Sequence, residues 1–131
     1  MAWFIERLLT HSVNIHSKSF DSEMFEYLLT LESKLTELEK KGRLSKEELE
    51  LIDDLRHNKT ITQISKERNL SRVTTSTKID VLTDKLSMYL GGIYTNEGYL
   101  QYMKTTYDLH DGQVEALRKK ITSRYKRFYL R

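Results

Sequence analysis

The 131-residue chain has no cysteine, no proline, five glycines and one tryptophan. Without cysteine it forms no disulfide and no thiolate metal site, which fits a reducing cytoplasm. Without proline no helix is interrupted from within, so an all-α protein is expected. No run approaches the roughly 20 apolar residues of a membrane span. The opening MAWFIERLL is broken by Glu6 and Arg7 and does not read as a signal peptide. A soluble, cytoplasmic protein with no membrane segment is the expectation. Chemistry-bearing clusters are scarce too. His11 and His16 have the wrong spacing for one helix face. His57 and His110 stand alone, and Asp53 and Asp54 are neighbours that point apart on a helix. Zinc needs three or four converging ligands, and neither a glycine-rich phosphate loop nor a nucleophile motif is present. No enzyme, metal or cofactor is expected.

What is present is charge, unevenly placed. Residues 1–57 hold 8 Lys and Arg against 12 Asp and Glu, and residues 58–131 hold 14 against 7, within a net charge of +3. An acidic front and a basic back suggest that one part meets an anion, the alternative being a solvated mixed surface.

Glycines punctuate the helical periodicity. Gly42 ends one helical segment, Gly91 and Gly92 end another, and Gly98 and Gly112 lie near helix starts. Trp3–Leu9 reads as a short helix and His11–Ser19 as a loop. Asp21 or Ser22 caps a long helix to about Lys41. Its Met24, Leu28, Leu31, Leu35 and Leu38 are spaced 4, 3, 4, 3, a heptad seam that serves either intramolecular packing or a homodimer. Ser45 and Glu48 form a capping box for a helix from Lys46 to His57 with Leu49, Ile52 and Leu55 inward. Thr95 or Asn96 caps a helix from Glu97 to about Tyr107. Asp111 caps the last helix, Gly112 to about Leu130. Residues 1–42 thus form an arm, 43–90 a central unit and 91–131 a basic C-terminal helical pair.

The central unit carries the functional signal. Ile61–Arg68 and Arg72 to about Tyr89 read as two helices around a tight turn, the layout of a helix-turn-helix. Ile61 and Ile64 face inward. Ser65 is small where the helices cross closely. Asn69 stands where the turn needs positive φ, which Asn tolerates better than most residues. Leu70 plugs the gap, and Ser71 caps the second helix. On that helix Thr75, Ile79, Leu82 and Leu86 face the core, and Arg72, Val73, Ser76, Thr77 and Asp80 are expected on the open face. Ser71, at the free N–H groups of the second helix, suits a DNA phosphate. Arg72 suits guanine O6 and N7, Val73 a thymine methyl, and Ser76 and Thr77 bases or phosphates. Lys59, Lys66 and Lys78 are placed to hold the phosphate backbone of double-stranded DNA.

The segment from Leu44 to Leu90 resembles region four of bacterial sigma factors and the regulators built on that module. Leu44-Ser45-Lys46-Glu47-Glu48 matches its acidic helix, Thr60-Ile61-Thr62-Gln63-Ile64-Ser65 its next helix, and Asn69-Leu70-Ser71 its turn. Ser65, Asn69 and Thr75 replace the usual Ala, Gly and Val, and Arg68 replaces an apolar residue. The resemblance implies a sequence-specific DNA-binding regulator of transcription, with RNA polymerase as a further partner. Its length fits small regulators of phages and mobile elements better than a complete sigma factor. A phage terminase small subunit, oligomeric and DNA-binding, is one rival, and a helical adaptor that binds only protein is another.

The last helix adds Lys119, Lys120, Lys126 and Arg127 as candidate phosphate contacts opposite Val114, Leu117, Ile121, Tyr125 and Phe128. Tyr89, Tyr94, Tyr99, Tyr102 and Tyr107 crowd the glycine turn and are expected to seal the two halves together, hydroxyls outward.

Overall fold

The computed structural model describes residues 1–12 and 22–122. Among them lie seven α-helices and no strand: α1 (Trp3–Thr10), α2 (Ser22–Lys40), α3 (Lys46–Arg56), α4 (Ile61–Arg68), α5 (Arg72–Leu90), α6 (Asn96–Tyr107) and α7 (Asp111–Thr122). A 3-10 turn, Gly92–Tyr94, follows α5. The all-α expectation is met. None of these helices is long and apolar enough to cross a membrane. His16, the cap at Asp21, and Tyr125, Lys126, Arg127 and Phe128 lie outside the described residues.

The chain forms two compact units, Ile5–Lys59 and Met1–Phe4 with Thr60 onward. In the first, α1 buries Ile5, Leu8 and Leu9, and α3 and the turn before it bury Leu44, Leu51, Ile52 and Leu55. The α2 seam is buried as well: Leu28, Leu31, Leu35 and Leu38 are at most 4% exposed, and Met24 is half-buried. These side chains belong to the core and are not a dimer surface, which corrects the homodimer expectation for this seam. A 4, 3 repeat describes either kind of helix packing, because both bury one narrow stripe. Arg56 clamps α3 to α2 by donating from Nε to Glu32 Oε1 at 3.2 Å and from Nη2 to Oε2. The Ser45 capping box forms as expected, with Ser45 Oγ accepting from the Glu48 N–H and Glu48 Oε1 from the Ser45 N–H.

The second unit is built along α5, and α5 buries two parallel seams. Thr75, Ile79, Leu82 and Leu86 form the expected one. Ser76, Asp80, Thr83 and Ser87, each one position later, form a second seam that is polar and at most 8% exposed. Backbone from the start of the chain meets this second seam. The Ala2 N–H donates to Thr83 Oγ1 at 3.1 Å, and the Met1 amino group lies 2.5 Å from Asp84 Oδ1. Asn96 fastens the same segment, accepting from the Trp3 N–H at 3.0 Å and donating to the Met1 carbonyl.

Phe4 then stacks with Tyr99 at a centroid distance of 5.2 Å, Trp3 meets Tyr99 tilted at 5.1 Å, and Phe4 meets Tyr94 at 6.0 Å. Tyr94 and Tyr99 are buried, whereas Tyr89 and Tyr107 are 44% and 61% exposed. The tyrosines therefore do not act as one seal. Thr95 caps α6 by accepting from the Gly98 N–H at 3.0 Å. Gly98 packs against the 3-10 turn so closely that a Cβ there would lie 1.8 Å from the Gly92 carbonyl oxygen. His110, and not Asp111, caps α7. Its Nδ1 accepts from the Gln113 N–H at 3.2 Å, and its own N–H donates to Gln113 Oε1 at 3.0 Å. An imidazole nitrogen here does what a Ser or Asp oxygen usually does at an N-cap.

Candidate nucleic-acid interface

The interface is built around the turn between α4 and α5. α4 begins with a capping box in which Thr60 Oγ1 accepts from the Gln63 N–H and Gln63 Oε1 from the Thr60 N–H. It ends at Asn69, whose φ of 55° and ψ of 47° are left-handed. The Leu70 N–H donates to the Ser65 carbonyl at 2.9 Å, and the Asn69 N–H to that of Lys66 at 3.3 Å. This is a Schellman closure, which satisfies carbonyls that a helix end leaves open. Asn takes the left-handed site because its short polar side chain tolerates it.

Ser71 then caps α5, its Oγ accepting from the Thr74 N–H at 3.0 Å. The crossing of α4 and α5 is closed by hydroxyls. Ser65 is 5% exposed, and its Oγ reaches the Ile61 carbonyl at 2.6 Å and Thr75 Oγ1 at 2.8 Å. Thr75 Oγ1 in turn donates to the Ser71 carbonyl at 2.9 Å. With one proton, Ser65 donates to one of its two neighbours at a time. Serine at 65 and threonine at 75, both departures from the resembled pattern, thus compensate each other. Each hydrogen bond of this kind contributes about 1 kcal/mol.

A cleft of about 460 Å³ opens at the turn, lined by Thr62, Ser65, Lys66, Asn69, Leu70, Ser71 and Arg72. Lys66, Ser71 and Arg72 are exposed at its rim. The first N–H groups of α5 point out of a helix end whose dipole favours negative charge. Two cations beside such a helix start suit an anionic oxygen.

The remaining candidates divide. Val73 is 64% exposed on α5, and Thr77 and Lys78 are half-buried beside the open face. Ser76 and Asp80 do not share that face: at 1% and 2% exposure they belong to the polar seam. A helical wheel alone does not reveal this, because a polar side chain on the wheel is assigned to water by default. Lys59 is not part of the rim either. Its Nζ lies 3.2 Å from the buried Asp54 carboxylate, across the end of α3. Lys119 and Lys120 are exposed on α7. Two residues of the open face are not among the expected contacts: Thr74, which is exposed, and Val81, which is 62% exposed. Both sit at helical spacing from Thr77, the signal that could have found them. Among the described residues no three His, Asp or Glu side chains come together as a metal site.

Comparison with known proteins finds no family model, no curated protein and no solved structure that matches the chain.

Proposed function

We propose that α4, its turn and α5 act as a helix-turn-helix and that the protein is a sequence-specific, DNA-binding regulator of transcription. The observation that carries the reading is the α4–α5 joint. A left-handed Asn69, the N-cap Ser71 and a hydroxyl-bonded crossing shape the start of α5, where Lys66 and Arg72 are exposed. A helix presented by its first turn, with cations at its entry, is the arrangement that enters a major groove. In this reading Ser71, Lys66 and Lys78 meet phosphates, while Arg72, Val73 and Thr77 face base edges. The exposed Lys119 and Lys120 on α7 are further phosphate contacts in this reading.

Electrophoretic mobility shift with duplex DNA at 50 mM salt tests it. The full chain shifts the duplex, and binding falls steeply by 200 mM salt as phosphate-bound counterions return. Lys66→Ala weakens all sequences alike and lowers the salt slope by about one. Arg72→Ala relaxes the preference at one base pair. Absence of binding at low salt sinks the reading in favour of an adaptor that binds protein alone, and binding indifferent to both substitutions removes the α4–α5 joint from the DNA contact.

A further inference from the structure

The open face of α5 is chemically unusual for a helix in water. Val73, Thr74, Thr77 and Val81 fall within about 100° of one another at 3.6 residues per turn. Val73 and Val81 are 64% and 62% exposed. Between Arg72 and Leu82 the sole carboxylate, Asp80, is turned inward at 2% exposure. The strip therefore displays methyl groups and hydroxyls, with Lys66 and Arg72 at its start, Lys78 at its flank, and Asp84, held by the Met1 amino group, just past Val81.

We infer that this strip reads thymine C5-methyl groups, so that the DNA bound is rich in A·T pairs beside the base pair that Arg72 meets. This rests on the DNA-binding reading above and adds to it the class of sequence recognised. The long side chains that make bidentate bonds to base edges are absent from the strip beyond Arg72. The thymine methyl is the apolar feature a base pair displays in the major groove, and it separates T·A from every other pair there. Val and Thr methyls match it. From Val73 to Val81 the helix advances roughly 12 Å, about three to four base steps of ~3.4 Å. The cations at its start and flank fit a polyanion better than an apolar protein face, which needs no positive charge beside it.

The experiment is selection of duplexes from a random pool by the full chain, followed by resynthesis of the selected duplexes with deoxyuridine in place of thymine. The exchange removes only the methyl groups. Removing one methyl that the strip covers weakens binding about 4-fold, so two or more such methyls give a loss of at least about tenfold. Val81→Ala weakens the thymine duplex and shrinks the thymine-to-uracil ratio. It does not threaten the fold, because the side chain is exposed and Ala favours helix. Equal binding of the thymine and uracil duplexes overturns the inference while leaving DNA binding intact, and returns the strip to a protein partner. If no duplex is selected, the DNA-binding reading fails first and the inference with it.

Discussion

Among the described residues the two longest helices, α2 and α5, have 19 residues each and divide their surfaces differently. α2 buries one apolar stripe and gives water a charged face, where Glu37 sits between Lys34 and Lys41 at 3.0 and 2.7 Å. α5 buries two stripes, one apolar and one polar, and its exposed residues include Val73, Val81, Met88 and Tyr89. Apart from Leu29, α2 shows water mostly polar and charged side chains, whereas α5 shows methyls, and the proposed reading rests on that difference. An apolar side chain left in water gains nothing from folding, so a cluster of them marks a surface meant to be covered.

The contrast breaks most sharply by truncating buried and exposed side chains in turn. Leu31→Ala, at a fully buried site on α2, costs about 2–5 kcal/mol of unfolding free energy. Val81→Ala on α5 stays within about 0.5 kcal/mol, as exposed sites do. Urea denaturation of both variants decides. Comparable losses of stability from the two would show that the α5 strip is part of the core.

The ends of the two helices sharpen the contrast. α2 is closed by Gly42 at φ 68°, where an added Cβ meets nothing within 4 Å. Beyond α5, Gly98 faces the Gly92 carbonyl oxygen. Gly98→Ala forces the 3-10 turn and α6 apart, at about 1–3 kcal/mol. Gly42→Ala meets only backbone strain, about 1–2 kcal/mol. A calorimetric scan of both variants places Gly98→Ala at the lower Tm.

The smallest effect belongs to the charged face of α2. Hydrogen bonds from Lys41 and then Lys34, with their charges, hold the Glu37 carboxyl down to about 2. A carboxylate whose folded pKa is depressed stabilises fully above its ordinary range near 4.5 and loses that contribution as pH falls toward about 2. NMR titration of the Glu37 side chain should give a midpoint well below the ordinary glutamate value near 4.5. Exposure keeps the effect on stability slight, and a midpoint near 4.5 would remove the ion pairs from the account of α2.

Much of this fold is legible in the chain's local chemistry. The helix starts at Ser45, Thr60 and Ser71 are written there, because a side-chain oxygen reaches an N–H only two or three residues away. Asn69 announces a left-handed turn for the same local reason. Apolar spacing places Ile61, Ile64, Thr75, Ile79, Leu82 and Leu86 inside. The candidate interface is half legible. Lys66, Ser71, Arg72 and Val73 are where periodicity puts them, but Ser76, Asp80 and Lys59 are not. Periodicity sorts residues by polarity, and it misplaces a polar residue that the fold buries, as at Ser76 and Asp80, or pairs elsewhere, as at Lys59.

The sequence by itself determined the helices, the caps at Ser45, Thr60 and Ser71 and the turn at Asn69, since these depend on groups within a few residues of one another. Tertiary structure alone decided which face of α5 is open. Residues distant in the chain take part in this: Ala2 donates its backbone N–H to Thr83 in the polar seam, and Asn96 fastens the Met1 and Trp3 backbone. It also decided that the leucines of α2 pack within the chain, because a heptad stripe records how a helix is buried and not by what.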